Sequence, residues 1–339
     1  MSFSNTEPKN KKTKKHLTFG FKCNTNAKEY EKAIVRKHRN TTPFFRLNFQ
    51  NREFAYTQKV FLDLSSKHDL SRNRYLNALR IARYQRETIR KESREVMEVL
   101  IPTLISYCDM NLNSEFLFEV QANVEHIAKM CNQTYEYKDS NGYVRVRYDT
   151  ITNALNTFDE AGLITILREK DKVSGKNKAM RIWLNPEFFL MLGVSLKELR
   201  RKLLKYHKYQ YQNNNLDKTR AAYQKHLMKI EHKNIASMKS NYKLRSLLLE
   251  RKKNLLGEKT LEFVKQRKPI NYRDFDIESD IFKPCFRTFE DCNTPEEIEK
   301  LRQRLYMRSL LREQARTKAQ NNKLYKQELE RYYAEQYIN

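Results

Sequence analysis

Residues 149–167 have the sequence DTITNALNTFDEAGLITIL, which predicts a helix followed directly by a strand. In the first part, apolar side chains recur every three or four residues, as on a helix with one buried face; they are Ile151, Leu155, Phe158 and Ala161. Gly162 then stands at a position where helices commonly end in a left-handed residue. The run from Leu163 to Leu167 is short, apolar and partly β-branched, which is typical of a strand.

The elements on either side of that stretch extend the pattern. Before it, Asn123 is placed to cap a short apolar helix, and residues 132–147 are expected to form a loop with an Asn141-Gly142 turn. After it, a polar loop from Lys170 to Lys178 leads into a second strand at 180–184. Helix, turn, helix and hairpin is the order of a winged helix. We therefore predict a mainly α protein with a winged-helix (helix-turn-helix plus β-hairpin) core and long basic C-terminal helices.

The whole chain divides into three regions by composition. Residues 1–54 form a basic arm that is expected to be flexible, and its lysine run suits either a nucleic-acid contact or a solvated tail. Residues 55–205 contain the helical and winged-helix core, in which Pro102 lies inside an apolar helical pattern and predicts a kink or a break. Residues 206–339 form a basic helical region, whose last helix is expected over 295–337.

The predicted helix after residue 148 carries short polar side chains opposite its apolar stripe. Such side chains can approach base edges in a major groove, which is about as wide as an α-helix. Asparagine pairs with adenine through two hydrogen bonds, which favours an A·T-rich site. The residues that we expect on this reading surface, with one flanking arginine, are Arg147, Thr150, Thr152, Asn153, Asn156 and Thr157. The alternative is an ordinary solvated helix face.

Basic side chains follow in the hairpin and in the next helix. In a hairpin they can reach phosphates beside the groove, and the candidates are Lys170, Lys172, Lys176, Lys178 and Arg181. The next helix, which Ser195 is placed to cap, carries Arg200 and Arg201 as further candidate phosphate contacts. A solvated face explains these two arginines equally well.

The charge balance points to a polyanionic partner. The chain has 67 Lys and Arg residues against 41 Asp and Glu, a formal net charge of +26. Such an excess repels itself unless anions are near. The basic residues are spread along the chain and interleaved with Tyr and Asn, rather than concentrated on one amphipathic helix, so we expect nucleic acid and no membrane. Charge alone does not separate DNA from RNA.

Several functional classes lack the motifs that they require. No apolar run approaches the roughly 18–20 residues that span a bilayer, and the polar N-terminus is unlike a secretory signal, so a cytoplasmic protein is expected. The five cysteines include no C-x-x-C pair, the histidines form no metal-binding motif, and no glycine-rich nucleotide loop is present. We therefore expect no cofactor, no metal and no enzymatic activity. Asp274 and Asp276 could hold Mg²⁺ in a nuclease or relaxase, but a solvated acidic island is the preferred interpretation.

The block from Ile151 to Ile164 resembles the helix and turn of the IncFII-type plasmid replication initiators, the RepA family, whose pattern is aRAL-x-x-L-x-x-x-G-L-I. The supporting matches are the preceding helix at Val124–Cys131, a wing turn at Asp171–Gly175, and Phe188–Leu192 followed by Val194, Ser195 and a basic helix. The resemblance covers residues 95–210 well, the C-terminal part loosely and the N-terminal arm poorly. The Lys-, Asn- and Tyr-rich composition resembles that of A+T-rich genomes, such as those of insect endosymbiont bacteria whose plasmids carry this family.

This resemblance implies a function. Members bind the origin of their plasmid sequence-specifically, help to open the duplex, recruit host replication proteins and take part in copy control, without bond chemistry. The implied partners are double-stranded plasmid origin DNA and host replication proteins, and we expect a monomer or weak dimer. Two alternatives stay open, namely a winged-helix transcription regulator and a basic RNA-binding protein.

Overall fold

The computed structural model describes residues 42–45, 54–86, 88–138, 141–171, 177–232, 235–238, 241–266 and 288–311, with Gly175 and a few residues up to 317. Nearly all of the predicted arm lies outside these residues. So do Lys172 and Lys176 of the wing, Asp274 and Asp276, and the end of the last predicted helix. The described part is mainly helical and contains two small antiparallel hairpins.

Three helices precede the segment that contains Asn123 and residues 149–167. They are α1 (Tyr56–Lys67), α2 (Arg74–Ala82) and α3 (Lys91–Tyr107), with a 3₁₀ turn at Leu70–Arg72 between the first two. Helix α3 continues through Pro102, so a break at this proline is wrong. Every residue from Val99 to Ser106 is buried, and we attribute the continuity of the helix to this packing, which offsets the hydrogen bond that proline cannot donate.

The next two helices have the ends that the sequence predicts. In α4 (Val124–Met130), the Asn123 side chain accepts a hydrogen bond from the His126 N–H at 2.8 Å. Helix α5 (Asp149–Glu160) ends at Gly162, whose φ of +79° is in the left-handed region. The N–H of Leu163 donates to the Phe158 carbonyl at 2.9 Å, which is the hydrogen bond of a Schellman ending.

The hairpin after α5 is confirmed. Strands β3 (Ile164–Leu167) and β4 (Arg181–Leu184) are antiparallel, with Ile164 opposite Leu184. The segment 118–120 lies along the other edge of β4. The Val120 N–H donates to the Ile182 carbonyl at 2.8 Å, and the Leu184 N–H donates to the Phe118 carbonyl at 3.0 Å. The hairpin is therefore joined to a third, very short extended segment.

A second hairpin occupies the region between α4 and α5. Strands β1 (Tyr135–Lys138) and β2 (Val144–Arg147) pair antiparallel, and Gly142 in the connection has a φ of +79°. The expectation of a loop across residues 132–147 is therefore wrong, although the turn at Asn141-Gly142 is correctly placed. No residue of either strand is fully buried, so the apolar pattern on which the strand predictions relied is weak here.

The remaining helices pack around this core. They are α6 (Pro186–Met191), α7 (Leu196–Gln212), α8 (Leu216–His232), α9 (Tyr242–Leu256), α10 (Glu258–Lys265) and, after a 3₁₀ turn at Phe289–Asp291, α11 (residues 295–311). Ser195 caps α7 as expected, since its hydroxyl accepts from the Glu198 N–H at 3.2 Å. The predicted boundary after residue 205 falls inside α7.

One large hydrophobic cluster joins most of these helices to the β3–β4 hairpin, while Leu301 and Leu305 of α11 pack with Ala78 and Ala82 of α2 in a separate small cluster. Helix α3 contacts α1, α4 and α5, and its Leu100 is buried in the same cluster as Leu155 and Phe158 of α5. Leu255 and Leu256 of α9 belong to that cluster too. Burying such side chains stabilises a fold by about 1.5–3 kcal/mol each. The apolar side of α5 is thereby fixed inward, and its polar side faces out.

Candidate nucleic-acid interface

The outward side of α5 carries the predicted reading residues. At 100° per residue, Thr150, Thr152, Asn153, Asn156 and Thr157 fall on one continuous arc of the helix, opposite the buried apolar residues. Asn153 is exposed and the other four are partly exposed. Arg147 is exposed at the end of β2, two residues before the helix begins. The structure thus brings the six residues together, while their contact with bases stays a prediction.

Hydrogen bonds within this arc determine which donors and acceptors remain for a base edge. The Thr152 hydroxyl donates to the Tyr148 carbonyl at 3.3 Å, and the Thr157 hydroxyl donates to the Asn153 carbonyl at 3.0 Å. In this state the two threonines present acceptor oxygens and methyl groups outward. The Asn153 side chain has no hydrogen-bond partner among the described residues, so both its donor and its acceptor are available to a base edge.

Arg168 links the end of β3 to α5, and the sequence analysis did not select it as a candidate. Its Nη2 donates to Asn156 Oδ1 at 2.6 Å, and its Nη1 lies 3.5 Å from Asp159 Oδ2. The residue directly follows β3, and its side chain is exposed. The guanidinium therefore lies beside the outward arc of α5, in contact with Asn156 and Asp159.

The wing lysines have different surroundings. Lys170 is exposed and its backbone forms a bridge with Asn177. Lys178 is mostly buried, and its Nζ lies 3.2 Å from Glu169 Oε1. Glu169 also accepts from the Ser237 N–H at 2.7 Å, which ties the base of the wing to the segment after α8. Lys170 is thus the better placed of these two lysines to meet a phosphate.

Arg181 is a core residue, which corrects its expected role as a phosphate contact. It is 6% exposed, and its Nε and Nη2 donate to the two carboxylate oxygens of Glu119 at 2.8 and 2.9 Å. His226 Nε2 lies 3.0 Å from the same carboxylate. Burial raises the pKa of Glu119, but the hydrogen bonds from His226 and Arg181 outweigh it and hold that pKa below its ordinary value.

The same correction applies in part to α7. Arg200 is 5% exposed and cannot reach a phosphate from its buried position. Its neighbour Arg201 is exposed, as the prediction requires. The helical period accounts for this difference, because Arg200 lies on the same stripe as Leu196, Leu203 and Leu204 and Arg201 lies beside that stripe.

An arginine-lined cleft borders the far end of the reading arc. This cleft, of about 360 Å³, lies between α2 and the start of α3; it is lined by Arg80, Arg83, Arg86 and Arg90 over apolar side chains, and it reaches Thr157 of α5. Arg80 donates to the carbonyls of Arg86 and Thr88, and Arg83 pairs with Glu160. Burial, and secondly the charge of Arg86, lower the pKa of Arg80.

Two of the cleft arginines are available to a ligand. The guanidinium groups of Arg86 and Arg90 are exposed, and neither has an ion pair or hydrogen bond within the described ranges. They lie between α2 and α3, in a segment for which the sequence patterns indicated no binding site. Together with Arg168 and Lys170, they place positive charge on both sides of α5.

A model of the IncFII RepA protein family matches residues 34–274, which is more than half of the 339-residue chain. The chain belongs to the IncFII RepA protein family. The match spans α1 to α10 and therefore includes every residue of the surface described above. Membership of the RepA family implies plasmid replication initiation. Searches of curated proteins and of solved structures find no match.

Neither a membrane-spanning helix nor a metal-binding cluster is found in the part of this RepA-family chain that the structure describes. No helix there is long and apolar enough to cross a membrane. Within the same residues, no three His, Cys, Asp or Glu side chains gather in a way that could hold a metal ion.

Proposed function

We propose that this RepA-family protein initiates plasmid replication by binding its origin duplex sequence-specifically through α5, seated in a major groove. The observation that carries this proposal is the arrangement of α5. Its apolar side is fixed in the core, its outward arc is polar, and exposed basic side chains flank that arc on both sides. A major groove about 12 Å wide admits such a helix.

The winged-helix interpretation supports this placement. Along the chain, α3 is followed by the short segment 118–120, then α4, α5 and the β3–β4 hairpin, and the segment 118–120 lies beside β4. In this proposal α5 would be the recognition helix, and the β3–β4 hairpin would be the wing. Lys170 and Arg168 would then contact one phosphate backbone, while Arg86 and Arg90 contact the other.

The proposed activity is binding and recruitment rather than bond chemistry. Base contacts from α5 would fix the protein at one site, and phosphate contacts would supply much of the affinity. Host replication proteins are the proposed second class of partner, recruited to a monomer or weak dimer on the duplex. Copy control follows if the amount of bound initiator limits how often replication begins.

Replacing Asn153 by alanine tests the proposal. Loss of a two-bond contact to one base should weaken specific binding by about 1–3 kcal/mol, while binding to unrelated duplex barely changes. The measurement is a footprinting titration on origin DNA and on a shuffled duplex. Asn254→Ala is the matched control, because it makes the same change at an exposed position of α9.

Each outcome has a clear meaning. If Asn153→Ala footprints the origin as the wild type and Asn254→Ala do, α5 is not the recognition helix. If the wild type itself prefers structured RNA to origin duplex, the alternative of a basic RNA-binding protein is favoured instead.

A further inference from the structure

The β1–β2 hairpin has two chemically different faces. Successive side chains of a strand point to opposite sides, and directly opposed residues share a side. Tyr135 is opposite Arg147, and Tyr137 is opposite Arg145. One face therefore consists of two tyrosines and two arginines, and we call Tyr135, Tyr137, Arg145 and Arg147 the Tyr–Arg face. The other face carries Glu136, Lys138, Val144 and Val146.

The Tyr–Arg face is exposed rather than packed into the core. Tyr135 is 55% exposed, Arg145 and Arg147 are exposed, and Tyr137 is half-buried. Neither strand contributes a residue to the hydrophobic clusters. Exposed aromatic rings on a marginal two-stranded hairpin are not explained by stability, because such hairpins need an apolar face to be stable alone.

The chemistry of this face suits flat, negatively charged ligands. The Arg147 guanidinium lies 4.0 Å from the centroid of the Tyr137 ring, which gives a planar cation stacked on a planar ring. The eight strand residues include three basic side chains and one acidic side chain. Nucleic-acid bases stack on tyrosine rings and guanidinium planes, and their phosphates are attracted by the surplus positive charge.

We propose that the Tyr–Arg face binds single-stranded DNA by base stacking. Tyr135 and Tyr137 are two residues apart, so their backbone positions are spaced at about 6.7 Å along the strand. This is roughly twice the 3.4 Å rise per nucleotide along a duplex strand. Bases inside a duplex also have both faces covered by their neighbours, whereas unpaired bases expose a face to an aromatic ring.

The hairpin is next to α5 in the chain, which suggests when single-strand binding would be used. Only Tyr148 separates Arg147 from the first residue of α5. A strand that leaves the duplex beside the site read by α5 would therefore meet the Tyr–Arg face within a short distance. This location rests on the proposed function of α5, while the single-strand binding itself rests on the hairpin alone.

The first test measures single-strand affinity of the full chain by fluorescence anisotropy. The probe is a labelled oligothymidylate of about 16 nucleotides, which covers the site of a small binding module. Tyr135→Leu keeps an apolar side chain but removes the ring, and it should weaken binding about 5- to 100-fold. Tyr135→Phe keeps the ring and should bind nearly as the wild type does.

A charge-matched pair sharpens the test. Arg145→Gln and Lys138→Gln each remove one positive charge from an exposed strand residue, but on opposite faces of the hairpin. If bases stack on the Tyr–Arg face, Arg145→Gln weakens single-strand binding several-fold more than Lys138→Gln does. Equal effects would overturn the assignment to this face, since they would report general charge alone.

Origin duplex binding by the same variants separates this proposal from the previous one. Tyr135→Leu should leave duplex affinity unchanged. Equal loss on single strand and duplex would overturn the single-strand proposal, and so would wild-type affinity of Tyr135→Leu for the oligothymidylate. A wild type that binds the single strand but shows no preference for origin duplex would overturn the role of α5 and leave the Tyr–Arg face standing.

Discussion

The two hairpins that flank α5 have the same strand length and opposite environments. Strands β1 and β2 end just before the helix, and β3 begins just after it. Every residue of β4 is buried, whereas no residue of β1 or β2 is. The β3–β4 hairpin belongs to the core that holds α5 in place. The β1–β2 hairpin projects exposed aromatic and basic side chains, so its sequence is better explained by contact with a partner.

A basic residue of these hairpins supports the fold where it is buried and paired. Arg181 and Arg145 each lie in a strand beside α5, but Arg181 is inside the core with Glu119 and Arg145 is at the surface. In the core the pair must be complete, because an unpaired buried charge is costly. At the surface a charge stays solvated, and the pairs that it makes contribute little to stability.

The largest expected effect separates these two arginines. Arg181→Ala leaves the Glu119 carboxylate buried beside an empty space and should lower the free energy of unfolding by about 3–5 kcal/mol. Arg145→Ala should change it by less than about 0.5 kcal/mol. Urea unfolding followed by circular dichroism measures both. Similar losses for the two variants would mean that the hairpins are equally structural.

The apolar side chains give the next largest difference. Ile182 is fully buried in the main cluster, so Ile182→Ala should cost about 2–5 kcal/mol of the free energy of unfolding. Val144→Ala, in the exposed hairpin, should cost about 0.5 kcal/mol or less. The single tryptophan, Trp183, reports unfolding by fluorescence in both variants. A large loss for Val144→Ala would show that β2 is packed against the core.

Lowering the pH should weaken the buried Glu119–Arg181 pair and lower the stability of the fold. The pKa of Glu119 in the folded chain is below its ordinary value of 4.5, because the hydrogen bonds from His226 and Arg181 outweigh burial. The unfolded chain therefore takes up this proton first as pH falls. The stability from Glu119 is complete above about pH 4.5 and is lost as pH drops through the lower folded value.

Urea midpoints measured from neutral pH down to about pH 3 test this direction. Glu119→Gln should be less stable at neutral pH and should show a shallower acid decline than the wild type. Glu136→Gln in the exposed hairpin is the control and should keep the wild-type profile. A wild-type profile for Glu119→Gln would contradict the role given to this pair.

The smallest expected effect concerns two glycines with the same backbone conformation. Gly142 and Gly162 both have a φ of +79°, which costs a residue with a side chain about 1–2 kcal/mol. Gly162→Ala should lower global stability by about that amount, because α5 ends there inside the core. Gly142→Ala should open only the exposed hairpin. Hydrogen exchange of the Val144–Arg147 amides would report local opening, and an unchanged urea midpoint would confirm that it is local.

The sequence predicted the elements that have a buried apolar face or a local capping residue. The apolar runs of β3 and β4, the stripe of α5 and the caps at Asn123 and Ser195 are all local patterns, and the structure confirms them. The β1–β2 hairpin was missed although Tyr135 and Tyr137 alternate with polar residues. With no buried face, that alternation lacks the apolar contrast on which strand prediction depends.

The remaining errors come from distant partners. Arg181 looked like a wing residue because its partner Glu119 is 62 positions away in the sequence. The cleft could not be predicted either, because it forms only where the segment 80–90 packs beside Thr157 of α5. Its arginines come from α2, the following turn and the start of α3, and only the packing of α5 brings Thr157 beside them. The outward position of the five polar α5 residues was predictable because one helix carries them all, while their contact with bases stays a prediction.

A salt-titrated gel shift tests the central claim, that α5 and its flanking charges bind origin duplex specifically. The probes are the DNA downstream of the gene on its own replicon and a shuffled duplex of equal composition. Our account predicts a specificity ratio above about 10³, with log K falling by about 0.9 per phosphate contact as log salt rises. A ratio near one at every salt concentration would contradict it and would leave only a basic nucleic-acid binder.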